Sequence, residues 1–323
     1  MSSPVPSDVH VNTPLTNISI AYLQSQESFV ASRVFPNIPV SKQSDRYYTY
    51  DRGEFNRDEM EKRAPATESA GGDYTVDNTP SYYCDVWALH RDIPDRVRAN
   101  EDSVLNSDRD ATNFLSHKAL IKKERIWAAN YFSTSVWTNE VLGSALTGLW
   151  SADAGTPIED IRSGIRTMLE DTGKEANKLT LGKKVYDDLL DHPDLVDRIK
   201  YGQTPGAPAL ANTQILAKIF EVDEVFVMKA IYNTAKENQT ASHSFIGGEH
   251  ALLTYSPPAP GLLVPSAGYT FSWTGLLGGG AGGGQVSKMR MDLRKADRIE
   301  LEMAFDLKLV AADLGYFFNT VVA

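Results

Sequence analysis

Residues 51–80 form a thirty-residue polar stretch holding Glu54, Arg57, Asp58, Glu59, Glu61, Lys62 and Arg63 and the turn signal Gly71-Gly72. Two segments rich in Tyr, Val and Trp enclose it, 46–50 and 81–91, and those residue types favour extended backbone. A structureless loop of this length is uncommon inside a compact domain. The pattern predicts a long hairpin over 46–93 that projects outward and finds its partners on another subunit. The alternative is an ordinary meander with a solvated turn.

The chain is long enough, at 323 residues, for one large or two intermingled domains. It is 42% hydrophobic and 23% charged, far from the signature of disorder. No apolar run approaches the roughly 20 residues that span a bilayer, and the N-terminus has neither a basic nor an apolar leader region, so neither membrane insertion nor secretion by the usual route is expected. Cys84 is the single cysteine, which rules out an intrachain disulfide and argues against structural zinc. A formal charge of -10 repels phosphate backbones on average, and the longest basic cluster, Lys122, Lys123 and Arg125, is interrupted by Glu124. Sequence-specific nucleic-acid binding is therefore a poor hypothesis.

Before the hairpin, Pro4, Pro6, Pro14, Pro36 and Pro39 punctuate short apolar pieces and read as an extended arm draped over something. After it, Ala111, Leu115, Ala119, Ile126 and Ala129 fall within about 80° of one another at 100° per residue, which predicts one long helix over 100–134. Thr156, Pro157 and Glu159 predict a capped helix start, with Gly173 closing the helix. Short strands and helices alternate from 178 to 273, giving a mixed α/β block. The run 278–284, six glycines around Ala281, predicts a flexible or sharply bent connection. Ile299, Leu301, Met303, Phe305, Leu307 and Leu309 then alternate with mostly polar residues, which means a strand with one buried and one wet face. The apolar end, 315–322, is expected to dock.

Chemistry is hard to find. The glycine run lacks the Lys-Ser/Thr pair of a phosphate loop, because Gly284 is followed by Gln285, Val286, Ser287 and Lys288. The six histidines are scattered without metal-ligand spacing. No Gly-x-Ser-x-Gly elbow occurs, and Cys84 has no nucleophile signature around it. No catalytic, cofactor-binding or metal-binding residue is assigned, and no cofactor is expected.

The order of parts, arm, charged hairpin, long helix, mixed block and returning strand, resembles the major capsid proteins of tailed bacteriophages, the Hong Kong 97-type shell fold. Particular stretches resemble that family too: 32–36 (Ser-Arg-Val-Phe-Pro), 177–181 (Asn-Lys-Leu-Thr-Leu), 225–228 (Val-Phe-Val-Met) ahead of Asn233, and Leu314-Gly315-Tyr316. The resemblance implies an α+β fold with an N-terminal arm (1–45), an extended β-hairpin loop (46–93), a peripheral domain with a long spine helix (94–150 and 276–323) and a mixed α/β axial domain (151–275). It implies a structural, non-enzymatic protein of the virion, assembled in the bacterial host cytoplasm as hexamers and pentamers of a shell enclosing double-stranded DNA. Glu59, Glu61, Lys62 and Arg63 would make ion pairs between chains. Expected partners are further copies, a separate scaffolding protein, a portal, a decoration protein in some cases, and packaged DNA contacted non-specifically. Lys62 and Asn319 are the conceivable crosslinking pair, with no motif behind the match. An encapsulin-type nanocompartment shell shares the implied fold and is the nearest rival; a soluble α/β enzyme with a nonlocal active site is the third reading.

Overall fold

The computed structural model describes residues 23–101, 105–202, 212–261, 264–275 and 284–323. The first half of the expected arm, the loop at 204–208 and nearly all of the glycine run lie outside the described residues. The strand Ala296–Leu309 is the axis of a five-stranded sheet. Asp85–Pro94 pairs antiparallel along one edge, from Pro94 opposite Ala296 to Asp85 opposite Phe305. The other edge takes Gly284–Met291 and Gly268–Trp273 end to end, with Gly284 opposite Met303 and Ser272 opposite Phe305. Asn37–Val40 adds to Gly268–Trp273 in parallel.

The spine helix, Ser107–Tyr131, packs on this sheet. Its 25 residues make a rod about 37 Å long. Ala111, Leu115, Trp127, Ala128 and Tyr131 share one core with Ile299, Leu301, Met303, Phe305 and Leu307, the inward half of the period-two pattern. Each large side chain fully buried there contributes about 1.5–3 kcal/mol. The helix starts later than the expected 100–134. Asn106 caps it by accepting the Arg109 N–H at 2.9 Å, and 95–99 forms a separate short helix. An Asx cap satisfies an orphan N–H and fixes the start more sharply than the apolar stripe does.

The far face of Ala296–Leu309 is not wholly wet, as the alternation had implied. Ala304 is fully buried there beneath Tyr82, Cys84, Tyr269 and Phe271. The segment expected as a draped arm also departs from expectation: Val30, Ala31, Val34 and Phe35 are buried in the spine-helix core, and 31–34 is helical.

A second, mixed sheet runs in the order Asn139–Leu142, Gly315–Asn319, Ala251–Thr254, Lys178–Gly182, Glu224–Met228. It is covered on both faces. Phe226, Met228, Leu252 and Phe317 turn to the spine-helix core. Leu179, Leu181, Val225, Leu253 and Phe318 turn to a core lined by Pro157–Thr172, Lys183–Asp191 and Thr213–Phe220. In Pro157–Thr172 the proline start and the left-handed Gly173 (φ 68°) stand as read from the sequence, but the capping box does not form. The Thr156 side chain accepts no helix N–H, and the acid with a partner is Asp160, which accepts from Trp150 Nε1 at 2.8 Å. The two sheets draw strands from across the sequence boundaries at 150 and 276, since 139–142 and 315–319 lie in the second sheet and 268–273 in the first.

Candidate assembly surface

Residues 44–83 form an antiparallel limb. Ser44–Arg46 pairs with Ser81–Tyr83, and Thr49–Tyr50 with Val76–Asp77 further out. Beyond that rung the backbone makes a one-turn helix, Arg52–Phe55, capped by Asp51, whose Oδ1 accepts the Gly53 N–H at 2.7 Å. None of residues 44–79 is buried. The segment is fixed chiefly at its root. Tyr47 and Tyr82 both stack on Phe271, with ring centroids 5.8 and 4.5 Å away. Asp306 accepts the Tyr83 N–H at 3.0 Å, and burial pushes its carboxyl above the ordinary range. Arg52 reaches back to pair with Asp313.

The charged residues singled out in the sequence all sit on this limb. Glu59 pairs with Arg57 at 3.2 Å, and Arg63 Nε donates to the Thr67 carbonyl at 2.5 Å. Glu61 and Lys62 are exposed. What the charge pattern did not point to is an aromatic cluster in water. Tyr50, Phe55 and Tyr74 contact one another with centroids 5.7–6.0 Å apart, yet are 41%, 56% and 58% exposed. Tyr48 and Met60 are more exposed still. Rings that gather while remaining wet present faces that would gain most by leaving water. The signal in the sequence was two aromatics, Phe55 and Tyr74, inside an otherwise polar stretch that begins just after Tyr50.

At the other end of the first sheet, acids and bases interlock. Asp297 accepts from Arg98 at 2.5 Å and Arg290 at 3.0 Å, which holds its carboxyl far below the usual range. Asp108 takes Arg98 and Lys288, both at 2.6 Å, and Asp92 takes Arg298 and Arg294. This network joins three strands, the short helix and the start of the spine helix.

The interior holds little that resembles a reaction centre. Burial pushes the Cys84 thiol up to about 11, away from nucleophilic reactivity. Among the described residues no group of three His, Cys, Asp or Glu is placed to hold a metal ion, and no helix is long and apolar enough to cross a membrane.

A limb in solvent, a spine helix across a five-stranded sheet and a second mixed sheet under helices define a shell subunit of the Hong Kong 97 type, and known proteins agree. The family model for phage major capsid protein E matches residues 131–264. The major capsid protein of Pseudomonas phage JBD67 is 25% identical over 319 residues, covering 97% of each chain. That of Burkholderia phage BcepMu is 24% identical over 323 residues, covering 96% of each. Among solved structures, a phage-related protein from Bordetella bronchiseptica RB50 superposes with TM-score 0.69 at 20% identity, covering 92% of this chain and 93% of that one. The capsid of cyanophage P-SCSP1u gives 0.63 at 11% identity over 98% and 95%. The SrpI encapsulin of Synechococcus elongatus PCC 7942 gives 0.57 at 11% over 100% and 98%. Over nearly its whole length the chain is similar to the major capsid proteins of tailed phages, and it has the Hong Kong 97-type fold; both support a structural protein of the virion that builds a shell from copies of itself.

Proposed function

We propose that the limb of one subunit lies across its neighbour and that repeated contacts of this kind close an icosahedral head of hexamers and pentamers around phage double-stranded DNA. The limb would be 46–93 and the arm 1–45. The axial domain would be 151–275, around the fivefold and sixfold axes, and the peripheral domain 94–150 with 276–323. A separate scaffolding protein and a portal belong to the same reading, with a decoration protein as an optional addition. No catalytic step does.

The observation that carries this is the wet cluster of Tyr50, Phe55 and Tyr74 on a limb without one buried residue over 44–79. Glu59, Glu61, Lys62 and Arg63 would rim that contact and set its register. Exposed ion pairs contribute about 0–1 kcal/mol each, so the rings supply most of the energy. A cargo-housing shell shares the fold, but the full-length likeness at 24–25% identity is to phage capsid proteins.

The test replaces Tyr50, Phe55 and Tyr74 by Ser together. The variant should melt as the wild type does, because the rings are exposed, and should form no shells under negative-stain electron microscopy. Replacing Glu59, Glu61, Lys62 and Arg63 by Gln should slow assembly without abolishing it. Normal shells from the triple-Ser variant would sink the limb contact.

A further inference from the structure

The sequence cluster Lys122, Lys123, Glu124, Arg125 separates in three dimensions. Lys123 and Glu124 turn into the protein, 8% and 1% exposed, while Lys122 and Arg125 remain on the surface with Lys118. Glu124 is the only acidic residue between 111 and 131. Its burial leaves the outer face of that part of the spine helix purely basic.

Lys118, Lys122 and Arg125 follow one another at four and three residues, so they share a face and span about 10 Å along the axis. Each lies over an aromatic ring supplied by a different element. Lys118 Nζ is 5.4 Å from the Phe114 centroid, Lys122 Nζ is 4.0 Å from Trp87, and Arg125 Cζ is 4.4 Å from Tyr232. Rings hold the heads in place without neutralising them. None of the three forms an ion pair among the described residues, whereas Arg98, Lys288, Arg290, Arg294 and Arg298 of the same half are all engaged with carboxylates. The opposite face of the sheet carries two acids on the strand Ala296–Leu309. Ile299, Leu301 and Met303 point to the helix, so Glu300 and Glu302 point away from it.

We propose that the strip formed by Lys118, Lys122 and Arg125 binds the phosphate backbone of the enclosed double-stranded DNA, so that the helix-bearing side of each subunit is turned to the genome and the Glu300–Glu302 side away from it. The inference rests on the shell reading above. The strip suits a duplex: it is sequence-blind, and a duplex presents one negative charge per about 1.7 Å of axis, more than three cations can saturate over that length. A contact this small is weak and salt-sensitive, as a wall that must release its contents requires.

The experiment measures binding of a fluorescent duplex oligonucleotide to assembled particles opened at their vertices and to free subunits, between roughly 50 and 200 mM salt. Lys118→Gln, Lys122→Gln and Arg125→Gln are combined. The plot of log affinity against log salt should flatten by about 0.9 for each lost contact, or roughly 2.7 for all three. Lys118→Arg with Lys122→Arg should keep the wild-type slope, and Glu300→Gln with Glu302→Gln should not change it. If the triple variant does not fold by circular dichroism, Lys118→Gln alone decides, since its ring partner is on its own helix and no tertiary contact is lost. An unchanged slope, or a wild type that binds no duplex at the lowest salt, overturns the proposal. So does a triple variant that keeps DNA but loses an Asp/Glu-rich peptide, which would assign the strip to an acidic protein. Micrographs of the same samples, assembled with the scaffolding protein, separate the two levels: shells with an unchanged slope remove the strip alone, and no shells from the wild type removes the reading beneath it.

Discussion

Glu124 accepts the Val30 N–H through both carboxylate oxygens at 3.0 Å and the Ala31 N–H at 2.9 Å, in a site closed to water. It therefore ties the segment before the limb to the middle of the spine helix. Burial pushes its carboxyl up to about 7, against 4.5 ordinarily, and the two N–H donors only partly oppose that. Between these values the folded protein binds more protons than the unfolded chain. The associated stability is full below about pH 4.5 and is lost as pH rises through about 7, a swing of about 3 kcal/mol. Glu124→Gln keeps an oxygen for the N–H groups and cannot ionise. Its urea midpoint should accordingly fall less than that of the wild type between about pH 5 and about pH 8; equal falls would show that the carboxyl does not titrate there. None of this was legible in the sequence, where Glu124 reads as a break in a basic run. Two neighbours on a helix point about 100° apart, and only packing decides which of them enters the core.

Elements were legible where one physical cause dominates. The alternation at 298–309 reflects one sheet face against one helix, and the strand is there, extended at its start to Ala296. Pro157–Thr172 likewise follows its proline start and glycine end. Asn139–Leu142 could not be read, because it exists through a parallel pairing with Gly315–Asn319, far along the chain. Nor does local pattern show that Asp92, Asp95, Asp108 and Asp297 meet cations from three other elements. The cations hold all four carboxyls below their ordinary values. Stability from such groups is present above the usual carboxylate range and lost as pH falls through the lowered values, opposite in sign to Glu124. Arg98→Met removes one of the two bridges between Asp297 and Asp108, leaving Lys288 as the other. It should lower the melting temperature at neutral pH by several degrees, with the gap to wild type closing below about pH 3; a gap constant with pH would mean that Arg98 acts through packing alone.

At the scale of the whole molecule, the proposed function has the limb exchange burial within its own chain for burial against a neighbour. The wet rings make that exchange hydrophobic, and this has a consequence for conditions. Raising salt from about 0.1 to about 1 M shrinks the screening length from about 10 to about 3 Å and strips exposed ion pairs of their attraction. Assembly driven by Tyr50, Phe55 and Tyr74 should persist at high salt and be promoted by sulfate, as scattering at fixed protein concentration would register. Dissolution of shells by sodium chloride alone would return the contact to Glu59, Glu61, Lys62 and Arg63. The central sheet carries a different freedom. Gly268–Trp273 and Gly284–Met291 are each registered independently on Ala296–Leu309, leaving and rejoining its edge two rungs apart. Length added or removed between them shifts neither ladder, so this is a seam where the subunit can accept a guest peptide while its framework keeps its registration.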